Sequence, residues 1–141
     1  MKIRSESGFT LLELLLIMIM LGTLISVTVP GLEKLKKSIV FKNELKVMAY
    51  TLINCRQFAI NDSCRYYLKL IDNKTLGIYK TGTAGYLQIV KFDYINISSN
   101  FSNDKTSFGP MGTANNGTFY INSSVNNRRI TIAVSGKVTI R

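Results

Sequence analysis

Gly8-Phe9-Thr10-Leu11-Leu12-Glu13 decides the reading of this chain, because its polarity reverses within those six residues. Residues 1–8 are short and polar, with Lys2, Arg4, Ser5, Glu6 and Ser7 ahead of Gly8. From Phe9 the chain stays largely apolar to Val29, and residues 14–21 contain no polar side chain. As helix, residues 11–29 rise about 28 Å at about 1.5 Å per residue, close to the hydrocarbon thickness of a bilayer. The run is too long for the apolar part of an ordinary signal peptide. Neither a small-residue cleavage site nor a lipid-carrying Cys follows it. Length and composition together predict a retained membrane helix.

One residue does not suit a plain anchor. Glu13 lies inside the apolar run, where a carboxylate costs on the order of a few kcal/mol in lipid. Its bland explanation is closeness to the end of the run, within reach of the interface. Its functional explanation is a partner charge, and cleavage between Gly8 and Phe9 supplies one. The new α-amino group is cationic, and Glu13 becomes the fifth residue of the shortened chain. Between staggered helices that carboxylate can neutralise a neighbour's terminus at low dielectric.

Residues 8–13, behind a short basic leader and before an apolar run, resemble the class III signal of type IV prepilins and pseudopilins. The resemblance implies cleavage after Gly8 by a prepilin peptidase, N-methylation of Phe9, and subunit registration by Glu13. Gly22 and Pro30 fit too, since the family commonly has a helix-kinking proline where Pro30 closes the run. The basic residues dispute the topology. Lys34, Lys36, Lys37 and Lys42 follow the run and outnumber Lys2 and Arg4 before it, so a positive-inside count would keep the rest of the chain in the cytoplasm. The cleavage signal is the more specific observation, and it predicts an extracytoplasmic globular domain on a single-pass inner or cytoplasmic membrane anchor. After assembly the chain would sit in a cell-surface or periplasmic filament.

The remainder of the 141 residues suffices for one modest core. Lys and Arg total 18 against 8 Asp and Glu, and the whole net charge of +10 lies beyond Pro30. A solvated basic surface explains that charge, and so does contact with polyanions such as DNA, anionic lipid or wall polymers. The chain has no His, which removes imidazole bases, Ser-His and Cys-His nucleophile pairs, and the commonest metal ligand. The two cysteines, Cys55 and Cys64, match no redox or zinc spacing. They are either a disulfide, which persists outside the cytoplasm, or two free thiols. No phosphate-cradling loop, paired acids or metal-ligand cluster appears, so no catalytic, cofactor-binding or metal site is expected and the chain is read as a non-enzyme.

After Gly31 the helical pattern becomes amphipathic. Phe41, Leu45, Met48, Leu52, Cys55 and Ala59 form one apolar stripe at spacings of three and four. Asn61-Asp62-Ser63 favours a turn and ends it. Beyond Cys64 the period falls to two, with candidate strands at 65–71, 75–80, 86–97, 117–122, 129–134 and 137–141. Residues 98–116 read as a polar surface loop, and Ser135-Gly136 as the turn of a C-terminal hairpin. The expected fold is α+β: a long N-terminal helix, transmembrane then amphipathic, packed on a small antiparallel β-sheet. Its parts are a leader (1–8), an assembly helix (9–30), an amphipathic half (31–62) and a β-rich domain (63–141).

Three further motifs resemble the GspH/FimT group of minor pilins. They are residues 108–113 (Phe-Gly-Pro-Met-Gly-Thr), residues 116–119 (Asn-Gly-Thr-Phe) and residues 129–138 (Arg-Ile-Thr-Ile-Ala-Val-Ser-Gly-Lys-Val). The chain departs from the secretion relatives in having little acidic surface. The resemblance implies a structural subunit of a pilus, a type II secretion pseudopilus or a competence pilus. Its partners would be prepilin peptidase, other pilin subunits and the membrane. The alternative is a DNA-binding subunit that grips phosphates through Arg128, Arg129, Lys137 and Arg141, with Phe119 and Tyr120 nearby. A solvated sheet edge guarded against aggregation would carry the same charges. Convergence of the four side chains on one face separates the two.

Overall fold

The computed structural model describes residues 9–141. Helix α1 spans Leu11–Asn61 and runs through Gly22 and Pro30. Thr10 sets its start. The Thr10 hydroxyl accepts the Glu13 N–H at 3.3 Å, and its carbonyl accepts those of Glu13 at 3.1 Å and Leu14 at 3.2 Å. Thr10-x-x-Glu13 is thus a helix-capping pattern whose threonine half is formed. At the other end the Cys64 N–H donates to the Ala59 carbonyl and the Ser63 N–H to that of Ile60, both at 3.2 Å. Ser63 sits in the left-handed region, with φ of 48°. This is a Schellman ending with serine where glycine is usual, and it stops the helix where the Asn-Asp-Ser cluster predicts.

The chain divides into two compact units, one ending at Lys36 and the other Lys37–Arg141. In the first, every described apolar side chain from Phe9 to Ile25 is exposed, Leu11 to 85%. An 18-residue window there has a mean hydropathy of 2.4, so this segment is long and apolar enough to cross a membrane. Its hydroxyls turn back on the helix. Thr23 donates to the Met20 carbonyl at 2.8 Å, Ser26 to that of Gly22 at 3.1 Å, and Thr28 to that of Leu24 at 3.1 Å.

The second unit is α+β. It holds eight strands: β1 (Tyr66–Asp72), β2 (Thr75–Lys80), β3 (Gln88–Lys91), β4 (Asn96–Ser99), β5 (Lys105–Phe108), β6 (Gly117–Asn122), β7 (Asn127–Ile132) and β8 (Val138–Ile140). They form two four-stranded antiparallel sheets, ordered β3-β2-β1-β5 and β4-β6-β7-β8. The α1 stripe of Phe41, Leu45, Met48, Leu52, Cys55 and Ala59 is buried, as its spacing predicts. It shares one core with Leu68, Leu76 and Ile78 of the first sheet and Ile97, Phe119, Ile121, Ile130 and Ile132 of the second.

Two sequence expectations change. Residues 86–97 are not one strand but β3 and β4, in different sheets. Between them Phe92 and Ile95 are both buried, a spacing of three that no regular strand gives. The Glu44 carboxylate of α1 fixes the break, accepting the N–H groups of Asp93 and Ile95 at 3.1 Å and of Tyr94 at 3.2 Å. Residues 98–116 are not simply a surface loop. Phe101 and Phe108 are buried, and a 3-10 turn (Ser102–Asp104) leads into β5, which adds an edge to the first sheet.

Candidate functional site

Of the residues expected to direct processing and assembly, Gly8 lies outside the described residues. Phe9 precedes α1 and is 73% exposed. Glu13 is the third residue of α1 and the only acid in its first turn, where the helix dipole favours a negative charge. It is one carboxylate at the head of an uncovered apolar surface. Chemically, such a segment needs lipid or other apolar helices around it.

Cys55 and Cys64 both carry free thiols. Cys55 belongs to the core stripe, and burial pushes its thiol up to about 12, so it stays protonated and unreactive. Cys64 is half-buried just past the helix end. Among the described residues no group of three or more His, Cys, Asp or Glu side chains could hold a metal ion.

The four basic residues near the C-terminus do not share one face. Arg129 on β7 stands opposite Tyr120 of β6 and exchanges backbone hydrogen bonds with Arg141 in both directions, each 2.9 Å. Tyr120, Arg129 and Arg141 therefore make a row across the second sheet. Together with Asn122 and Asn127 they line an open hollow of about 310 Å³ that Arg128 also borders, although Arg128 pairs with buried Ile121 and so projects to the other side of β7. Lys137 is not among them. The Ala133 N–H donates to the Lys137 carbonyl at 3.0 Å, which places this lysine at the closed end of the β7–β8 hairpin, beside Ile53, Arg56 and Val138. Arg129 and Arg141 lie at the open end. Sequence proximity therefore misplaces the fourth residue, because hairpin pairing separates the ends of each strand.

The sequence reading missed the glycine contacts of its three C-terminal motifs, which join the first motif to the third and seat Phe101 against the second. Gly136, with φ of +75°, lies so close to Gly112 that an added Cβ would be 1.9 Å from the Gly112 carbonyl oxygen. Arg56 of α1 clamps the pair. Its Nε donates to the Gly112 carbonyl at 3.0 Å and its Nη2 to that of Ser135 at 3.3 Å. Gly117 leaves room for Phe101, whose ring would come within 2.2 Å of an added Cβ. Small glycines in residues 108–119 and 129–138 were the available signal, but only pairing in space says what they accommodate.

An N-terminal apolar helix whose amphipathic continuation packs on antiparallel sheets is the architecture of pilin subunits. Comparison with solved structures agrees at the level of fold. The chain is similar to the type IV minor pilin FimU of Pseudomonas aeruginosa strain PAO1 in two crystal forms, with TM-scores of 0.57 and 0.58 and 18% identity in each. Those matches cover 72% and 71% of this chain and 90% of FimU. It is also similar to EpsH, the minor pseudopilin of the type 2 secretion system of Vibrio cholerae, with a TM-score of 0.57 and 11% identity, covering 71% of this chain and 94% of that one. No family model matches the sequence, and no curated protein does.

Proposed function

We propose that this chain is a minor pilin or pseudopilin, a structural subunit of a type IV pilus-like filament. The observation that carries the reading is the exposed apolar surface of α1 with Glu13 at its head, joined to a pilin fold. Among the described residues, every apolar side chain from Phe9 to Ile25 is exposed, which suits a segment held in the membrane and then among other subunits' helices. Processing would occur after Gly8, freeing Phe9 for N-methylation and exposing a cationic amine for Glu13 of a neighbour. On coexpression with a prepilin peptidase, the chain should shorten to one beginning at N-methyl-Phe9, with Gly8→Ala slowing the cut by crowding the scissile backbone. Intact-mass spectrometry checks this, and an uncut Met1 or a cut near Pro30 would refute it.

A second reading, DNA contact, draws on Arg129 and Arg141 side by side with Tyr120 on one face, at a hollow that Arg128 also borders. Guanidiniums so placed can neutralise two phosphates, and a third if Arg128 reaches round the sheet edge, without base-reading chemistry. For the detergent-solubilised full chain, the logarithm of the binding constant should then fall with that of salt at a slope of about −2 to −3. Changing Arg128 and Arg129 together to Ala should flatten the slope by roughly two if both touch phosphates and by about one if Arg129 alone does, while Lys137→Ala leaves it nearly unchanged. A mobility-shift titration at low salt with no complex at micromolar protein would leave the structural role alone.

A further inference from the structure

The outer face of the first sheet carries a built hollow that neither reading above uses. Strand register places Tyr67 opposite Tyr79, Lys69 opposite Gly77, and Lys69 opposite Lys105. The Tyr67 and Tyr79 rings stack at 5.1 Å and 19°. The Lys105 ammonium covers the Tyr67 ring at 4.7 Å. Tyr86, from the loop between β2 and β3, meets the Tyr79 ring edge-on at 5.7 Å and 84°. It lies against Gly77, where an added Cβ would be 2.4 Å from the ring. The ring is thus seated on backbone and braced by Tyr79, yet it remains 40% exposed. Lys69, Tyr79, Thr83, Gly85 and Tyr86 line the hollow, of about 300 Å³, at the lower end of the range for small-ligand sites.

The face is also predominantly basic. Its outward strand positions include Lys69, Lys91 and Lys105 against one acid, Asp72, which pairs with Thr75 in the row of Lys91. Among the described residues the one ion pair is Lys80–Asp62, elsewhere.

We propose that this hollow binds a single acidic sugar residue of an anionic glycan. The C–H face of a pyranose carries partial positive charge and stacks on the negative face of Tyr86. A carboxylate on the same ring pairs with Lys69, and the Thr83 hydroxyl can donate to or accept from a sugar hydroxyl. The number of free faces favours sugar over a nucleic-acid strand. Sequence-tolerant strand binding needs successive stacking platforms. Here Tyr67 is covered by Tyr79 and Lys105, and Tyr79 packs against both Tyr67 and Tyr86. Of the three rings Tyr86 is the exposed one.

The test uses the full chain in detergent micelles and tetragalacturonate as the probe. Titration should give saturable binding with a dissociation constant of about 1 mM or tighter. Tyr86→Ala should weaken it tenfold or more. Lys69→Gln should weaken it severalfold without disturbing the packing of the rings. The probe's neutral methyl ester should bind as poorly to wild type as the acid does to Lys69→Gln. Gly77→Ala, which displaces Tyr86, should match Tyr86→Ala if melting shows it folded, and Arg128→Ala should bind like wild type. No saturable binding by wild type up to about 10 mM would overturn the proposal, as would unchanged affinity in both Tyr86→Ala and Lys69→Gln. Oligothymidylate that displaces the sugar with higher affinity would also overturn it, assigning the hollow to nucleic acid.

Discussion

Replacing Glu13 by Val is expected to leave membrane insertion and cleavage intact and to lower incorporation into filaments tenfold or more. The argument is electrostatic. If Glu13 neutralises a neighbour's α-amino group among apolar helices, removing it strands that cation at low dielectric. Breaking one partner of a buried pair costs about 3–5 kcal/mol, more than a tenfold change requires. Thr10 supplies the competing explanation, because Glu13 also occupies the third helical position of a capping pattern whose threonine half is formed at 3.3 Å. Gln serves that capping role as well as Glu. Glu13→Gln therefore distinguishes the two, since a charge requirement makes it fail as Val does, whereas a capping requirement makes it behave as wild type. The measurement is the amount of each variant that co-purifies with sheared filaments, relative to the amount in membranes. Wild-type incorporation of the Val variant would reduce Glu13 to a tolerated residue at the interface.

Gly136→Ala should destabilise the Lys37–Arg141 unit by about 3–5 kcal/mol, in the range reached only by mutations with a definite steric cause. Two penalties combine. A φ of +75° costs an L-residue roughly 1–2 kcal/mol. The added methyl would also fall 1.9 Å from the Gly112 carbonyl oxygen, which Arg56 holds in place at 3.0 Å. Backbone must move, and the Arg56 hydrogen bonds go with it. For a unit of this size a loss of 3 kcal/mol lowers the melting midpoint by about 12–24 °C. Gly82→Ala is the internal control. Its φ is +79°, but nothing lies within 4 Å of the added carbon, so the backbone penalty acts alone. Equal midpoints for the two variants would mean that the contact with Gly112 contributes nothing.

Local periodicity made the helix legible. The stripe from Phe41 to Ala59 is buried throughout because a 3.6-residue repeat is written in consecutive turns. The same holds for β2 and β6, whose bounds match their alternating patterns, and for the stop at Asn61. What failed was written elsewhere in the chain. The break at Phe92–Ile95 keeps strand-like composition, and the carboxylate that shapes it belongs to Glu44, 49 residues before Asp93. Polar residues around Phe101 and Phe108 masked a buried strand edge. The basic surface was legible as charge but not as geometry, since antiparallel pairing sets Arg129 against Arg141 and leaves Lys137 at the far end of the hairpin. The tyrosine hollow was invisible for the same reason: Gly77 and Tyr86 meet only once β2 and its loop are folded.

The hydroxyls of Thr23, Ser26 and Thr28 each bond to a carbonyl of their own helix. A segment built this way has committed its hydroxyl protons to itself, leaving each oxygen only as an acceptor. What these residues offer a neighbour is chiefly close packing, and apolar side chains dominate the rest of the segment. If such helices assemble side by side, shape sets their spacing and a charge would add a discrete stop, and in the described part of this run the one charged side chain is Glu13.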